Sequence, residues 1–263
     1  MSWKVQFLSD FHLERAVLET PMKFILLFAL STGLHAADCI AHRGDTFGGV
    51  VENSQQSIEQ ALELGADGVE FDIRHTLDGI PVLVHDKKLE RVAMDLPGCD
   101  VQTPIRDQLF KDIQNCRLSD GQSISTLQEA MSLMSYSNAL VFLELKDKPN
   151  ELTGEIIRNS GIEMNRMRFI SFKSRYLRKI KKYIPEIESL RLSIFIPFFS
   201  FTRGMNVAAH LKIFTAISHL FGNEVGVWTI NSFKKLQKYH AKKVDFITTD
   251  RTDLCLEAKH ERS

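Results

Sequence analysis

From Ala37 onward the chain repeats one unit: a short β-branched or apolar run, then a stretch whose apolar residues recur at helical spacing, with no low-complexity linker between units. Strands are expected at Cys39–His42, Gly68–Ile73, Pro81–Val84, Leu140–Leu145, Arg168–Ser171, Ser189–Ser193, Val225–Thr229 and Phe246–Thr248. Helices are expected at Ser54–Leu64, Thr126–Ser135, Glu151–Asn159, Ser174–Tyr183, Asn206–Leu220 and Ser232–Tyr239, with a last one from Arg251. Ser54 and either Ser125 or Thr126 serve as N-caps, and Gly65 follows the first helix as a C′ glycine. Strands that alternate with helices build a parallel sheet, and eight of them close into a (β/α)8 barrel. The fold expected is therefore an α/β TIM barrel with a small insertion after the third strand. The Asp78-Gly79 turn leaves no room for a helix between the second and third strands, and the polar residues 86–124 form the insertion.

The N-terminal residues read differently. "MKFILLFALSTGLHA", from Met22, has a basic start, a short apolar run and small residues near Ala36, the pattern of an export signal. The apolar run is shorter than the roughly 20 residues of a membrane span, and an uncleaved membrane anchor stays open as the alternative to cleavage near Ala36 or Ala37. Residues 1–36 are read as an extension plus this signal-like segment and 37–263 as the barrel domain, with export to a periplasmic or extracellular compartment expected. Translation is expected to start at Met22. Asp10 and His12, in "VQFLSDFHLE", resemble the metal-binding opening strand of calcineurin-like phosphoesterases, but "FGNEV" carries Glu224 where that family needs a histidine.

Lys plus Arg and Asp plus Glu both number 33, so no broad attraction to nucleic acid is expected and anion binding must be local. The four cysteines allow three pairings. Cys99 with Cys116 closes a modest loop, Cys39 with Cys255 joins the start of the domain to its end, and free buried thiols stay open as the alternative.

Functional groups of a barrel collect at the C-terminal ends of its strands. His42 ends the first expected strand, Glu70 and Asp72 the second, His85 the third, and Glu144 with Lys146 the fourth. Residues two apart on a strand share a face, so Glu70 and Asp72 point together, as do Glu144 and Lys146. Three converging carboxylates without nearby cysteine suit Mg²⁺ or Ca²⁺. A buried salt bridge to Arg43 or Lys146 is the plain alternative. Two histidines titrating near neutral pH are equipment for proton transfer, and Arg43 and Lys146 are cations suited to phosphate.

"AHRG", "ENS", "GADGVEFDIRHTLDGIPVLVHD", "ISTLQEA", "FLELK", "VGVWTIN" and "VDFITTD", in this order, resemble the glycerophosphodiester phosphodiesterase family over about Ile40 to Asp250. The resemblance implies metal-dependent hydrolysis of a glycerophosphodiester to sn-glycerol 3-phosphate and an alcohol. It implies His42 and His85 as the acid–base pair, Glu70, Asp72 and Glu144 as ligands of Ca²⁺ or Mg²⁺, and Arg43 and Lys146 as phosphate contacts. Glu52 would orient the metal or substrate shell, and Trp228 would wall the glycerol pocket. Val51 replaces the proline usual before Glu52.

The apolar "SIFIPFFSF" offers Phe195–Phe201 as a wall for an acyl chain or a membrane surface, which would favour lysophospholipids; ordinary core packing is the alternative. The basic "KSRYLRKIKKY" reads as a solvated helix face or a membrane-facing patch. Two other functions stay open: a lysophospholipid- or sphingolipid-specific phospholipase D on the same barrel, and an exported binding protein without turnover.

Overall fold

The computed structural model describes residues 36–193, 205–207, 219, 223–242 and 244–261. The signal-like segment and the Phe195–Phe201 wall expected from sequence lie outside the described residues. The sheet lies within the unit Ala36–Ser263.

Among the described residues nine strands form this sheet: β1 (Asp38–His42), β2 (Gly68–His75), β3 (Pro81–Leu83), β4 (Leu140–Leu145), β5 (Met167–Ser171), β6 (Glu188–Ser193), β7 (Met205–Val207), β8 (Val225–Val227) and β9 (Phe246–Thr249). Their order is β1-β9-β8-β7-β6-β5-β4-β2, and β2 pairs back onto β1 in parallel, so eight parallel strands close a ring. The (β/α)8 barrel expected from the alternation is the fold.

One strand of the ring differs from expectation. β3 pairs antiparallel to β2, with Ile73 opposite Leu83 and His75 opposite Pro81, and stands outside the ring. The tight Asp78-Gly79 turn folds the chain straight back, and a direct return makes an antiparallel pair, since parallel neighbours need a crossover. The eighth ring strand is β7, which takes Asn206 and Val207, the first residues of the helix expected at Asn206–Leu220; nearly all the rest of that helix lies outside the described residues. With β3 removed from the ring, β2 and β4 are immediate neighbours.

Strand alternation separates two cores. On β2 and β4, Val69, Phe71, Ile73, Val141, Leu143 and Leu145 face outward and pack against helices α1 (Gln55–Glu63), α2 (Leu127–Ser135), α3 (Glu151–Arg158) and α4 (Ser174–Ile180). The alternate positions point inward, where Ile40, Phe142, Ile170, Leu190, Leu192 and Phe246 fill the barrel, Phe142 and Phe246 meeting edge to face at 5.0 Å. Helices α5 (Phe233–His240) and α6 (Thr252–His260) complete the described layer.

Local signals set the helix starts. Ser54 caps α1 and exchanges hydrogen bonds with Ser57, and Thr126, rather than Ser125, caps α2 with Glu129 in the reciprocal role. Gly65 has φ 81°, as a C′ glycine requires. The insertion has its own small core, which includes Leu89, Val101, Ile105, Ile113 and the Cys99–Cys116 disulfide. A second disulfide, Cys39–Cys255, ties β1 to α6.

Candidate active site

Two neighbouring strand pairs set the site's geometry by register. His42 on β1 stands beside Glu70 on β2, and Asp72 on β2 stands beside Glu144 on β4. Glu70 and Asp72 point into the barrel together, so three carboxylates meet at one mouth. All three are buried, and one oxygen from each lies within 4.8 Å of the others.

That density of negative charge in a buried place is costly unless something compensates it. Burial drives Glu70 well above the ordinary carboxylate range, and repulsion from Asp72 and Glu144 pushes it further. Glu144 is raised for the same reasons, burial first and then Asp72. Asp72 also feels burial, but Lys146, Arg43, His85 and an Asn53 hydrogen bond hold it below its usual value. Lys146 Nζ lies 2.7 Å from Glu144 Oε1 and 3.2 Å from Asp72 Oδ1. Arg43 Nε lies 3.3 Å from Asp72 Oδ2, and its Nη1 donates to Glu52 at 3.0 Å. Both cations expected to face a phosphate are thus held against carboxylates.

The Arg43 backbone N–H donates to Glu70 Oε2 at 2.9 Å, but Glu70 Oε1 is buried and accepts no hydrogen bond. An orphaned carboxylate oxygen beside two further carboxylates is the donor set of a hard divalent cation. The residues present fit Mg²⁺ or Ca²⁺, and no soft ligand interrupts the set.

The loop after β1 aims its side chains by an unusual backbone. Arg43 and Asn53 have φ near 60°, and Gly44 has φ 81°. The Arg43 carbonyl accepts from the Asn53 N–H and the Ser57 hydroxyl, which locks this turn to the start of α1. Asn53 then clasps Asp72, its Nδ2 donating to Oδ2 at 3.0 Å and its Oδ1 accepting the Asp72 N–H at 2.9 Å.

Each histidine has a carboxylate at its back. His42 Nδ1 lies 2.6 Å from Asp250 Oδ1, and Asn231 Nδ2 donates to the other Asp250 oxygen at 2.7 Å. His85 Nδ1 lies 2.9 Å from Asp86 Oδ1, and Arg91 donates to Asp86 Oδ2. A carboxylate on Nδ1 favours the tautomer that carries its proton there, which leaves Nε2 for chemistry. Burial lowers the His85 pKa, Lys146 and Arg43 lower it further, and Asp72 and Asp86 oppose them.

His85 reaches the site by a route other than a barrel-strand end. The chain returns along β3, Val84 N–H donates to the Asp72 carbonyl, and the Arg74 guanidinium donates to the His85 carbonyl through Nε at 3.0 Å and Nη2 at 2.6 Å. Trp228 follows β8, packs against the barrel interior and meets Phe172 edge to face at 5.4 Å. Its indole N–H is buried without an acceptor. Glu52 is held by both Arg43 and Arg91, the latter through two hydrogen bonds of 2.9 and 2.6 Å. Asp250, Asn53, Asp86 and Arg91 were not singled out from the sequence. Asp250 and Asp86 each stand in a motif that the sequence displays, at the end of "VDFITTD" and beside His85.

A closed α/β barrel whose mouth joins a buried carboxylate cluster to two carboxylate-backed imidazoles places the chain in the TIM-barrel class. The profile of the Glycerophosphoryl diester phosphodiesterase family matches residues 42–254, and the chain belongs to that family. It is 26% identical over 239 residues to a glycerophosphodiester phosphodiesterase of Caldanaerobacter subterraneus subsp. tengcongensis, covering 80% of this chain and 93% of that one. It is also 26% identical to one of Bacillus altitudinis, covering 84% and 97%. Among solved structures it resembles a phosphodiesterase of Oleispira antarctica in complex with the product sn-glycerol-3-phosphate, with TM-score 0.74, 24% identity, and 85% and 96% of the two chains covered. A glycerophosphodiester phosphodiesterase of Parabacteroides distasonis superposes with TM-score 0.73 at 23% identity, covering 88% and 99%.

Proposed function

We propose that this protein hydrolyses glycerophosphodiesters to sn-glycerol 3-phosphate and an alcohol, with His42 and His85 as the acid–base pair. The observation that carries the reading is the pairing of each imidazole with a carboxylate beside one cluster of Glu70, Asp72 and Glu144. The names of the relatives, and the product held by the Oleispira antarctica enzyme, point to the same substrate class.

A divalent cation bound by Glu70, Asp72 and Glu144, Mg²⁺ or Ca²⁺, would supply polarisation of the phosphoryl oxygens and a lowered pKa for the attacking hydroxyl. The remaining work belongs to the chain's own residues. One imidazole Nε2 takes the proton of the attacking hydroxyl, whether that of the glycerol 2-position or of water. The other delivers a proton to the departing alcohol oxygen. Asp250 and Asp86 stabilise whichever imidazolium forms. A bound cation would satisfy Asp72 and Glu144, which now hold Lys146 and, through Asp72, one side of Arg43, and would leave both cations able to face the phosphate. Glu52 keeps Arg43 in place, and Trp228 walls the glycerol side of the mouth.

Export belongs to the same reading. Two disulfides among the described residues support an oxidising compartment, and the segment from Met22 would direct the chain there. No described helix is long and apolar enough to cross a membrane. Product analysis tests the substrate assignment: glycerophosphocholine and lysophosphatidylcholine are offered in parallel, with glycerol 3-phosphate, choline and lipid phosphate followed. Glycerol 3-phosphate from glycerophosphocholine is expected. Lipid phosphate with choline from the lysolipid alone would replace this reading with a phospholipase D, and tight binding without product would indicate a binding protein.

A further inference from the structure

The chain is electrically balanced, yet one flank of the barrel is not. Lys173, Arg175, Arg178, Lys179, Lys181 and Lys182 fall within ten residues, and no acidic residue occurs between Glu163 and Glu186. α4 orders most of them, because Tyr176, Leu177 and Ile180 are buried against the barrel while Arg175, Arg178 and Lys179 occupy the opposite i, i+3, i+4 positions, and Lys182 follows in the turn after the helix. Among the described residues no carboxylate pairs with any of the six. Their contacts are aromatic rings and carbonyls: Lys173 and Arg175 each stand 5.1 Å from the Tyr176 ring centre, Lys179 stands 4.7 Å from that of Tyr183, and Lys181 donates to the Pro185 carbonyl. Such contacts leave the positive charge unneutralised.

At the mouth end this row begins with Phe172, a large aromatic that is 42% exposed. Phe172 directly follows β5, whose Ile170 stands in register with Glu144, so the ring sits on the rim of the site. One side of it packs on Trp228, and a large part of the remainder faces water. A helix face of cations without carboxylate partners, ending in an exposed aromatic, matches a surface meant for the lipid interface, where charges meet anionic headgroups and the ring enters the boundary. A single-stranded nucleic acid reader would place its aromatics along a charged groove for base stacking, whereas these cations lie on the outer side of one helix and on the residues that flank it.

We infer that the α4 flank docks this protein on an anionic lipid surface, with the Phe172 rim at headgroup level. The site mouth then opens beside the lipid. The inference does not depend on the substrate assignment, because it concerns vesicle binding.

The test is co-sedimentation of the full chain with vesicles of phosphatidylcholine alone and of phosphatidylcholine mixed with phosphatidylglycerol, at low and high salt. The parent is compared with a triple variant, Arg175→Gln, Arg178→Gln and Lys182→Gln. Removing three surface cations is expected to weaken partition to the anionic vesicles by roughly a hundredfold at low salt. High salt is expected to erase most of the difference. Phe172→Ser is expected to weaken it several-fold in folded protein. Hydrolysis of a soluble diester should be the same in the triple variant and the parent. Binding through the apolar run after Met22 would be shared by both proteins and insensitive to salt, so only their difference counts. Equal partition of parent and triple variant to anionic vesicles overturns the inference. Binding of a single-stranded oligonucleotide that the triple variant loses, with no such loss on vesicles, overturns it in favour of nucleic acid.

Discussion

Asp250 sits one register step beyond Thr249, which pairs with Ala41, and so arrives beside His42 from 208 residues away. Burial opposes its ionisation, but His42 and Asn231 hold its pKa below the usual carboxylate range. Asp250→Asn keeps the shape but removes the charge that stabilises protonated His42, and kcat is expected to fall roughly a hundredfold or more with unchanged circular dichroism. Unaltered kcat would mean that Asp250 has no part in the proton transfers. The residue was hard to read in advance because only barrel closure brings it to its partner. Glu70, Asp72 and Glu144 were legible because strand alternation and register act on residues two apart. A different histidine reports on stability. His75 is buried, bonds to Thr153, and has its pKa lowered to about 4 from 6.5, burial dominating over the opposing charge of Asp147. The unfolded chain therefore binds this proton first as pH falls, so the contribution of neutral His75 is present above about 6.5 and lost between there and about 4. Urea unfolding should show about 3 kcal/mol of this loss, absent from His75→Gln. Parallel pH dependence in the two proteins would contradict it.

Among the elements, the turn after β1 is the one on which most of the site depends. A Cβ on Gly44 would collide with Ser57 Oγ and lie 2.6 Å from the Ser57 backbone, in addition to its positive φ. Gly44→Ala must therefore push the first turn of α1 away, and Arg43 and Asn53 with it. We expect a loss of about 2 kcal/mol in denaturant unfolding, with reduced activity in the fraction that remains folded. Wild-type stability would mean that the turn is slack. β3 and β7 show where pattern reading stops. "PVLV" has strand composition, but composition does not distinguish a ring strand from an antiparallel return, and β7 is three residues that run into an apolar stretch with helical spacing. The observed pairing explains more of the site than the expected one. Removing β3 from the ring makes Asp72 and Glu144 lateral neighbours, and its return path delivers His85 to the same mouth.

At the scale of the whole molecule, the barrel is a ring whose first strand and last helix are joined covalently. The Cys39–Cys255 bond closes a loop of 216 residues, and such a cross-link stabilises mainly by restricting the unfolded chain, by about 3–5 kcal/mol. Reduction should lower the urea midpoint accordingly, and Cys39→Ser with Cys255→Ser should remove most of that response; an unchanged midpoint on reduction would contradict it. The pairing could not be chosen from spacing, since three pairings fit four cysteines and only the closed fold brings positions 39 and 255 together. The barrel itself was legible because its repeat of strand and helix is dictated by periodicity along the chain. The proposed enzyme depends on one mouth uniting a divalent cation held by three carboxylates with two proton-transferring histidines. The rate of glycerol 3-phosphate release from glycerophosphocholine with Mg²⁺ or Ca²⁺, after chelation and after re-addition, measured beside His42→Ala, tests both halves at once. Release should stop on chelation, return with the metal and be absent from folded His42→Ala. Release that ignores the chelator, or persists without His42, would refute the assignment.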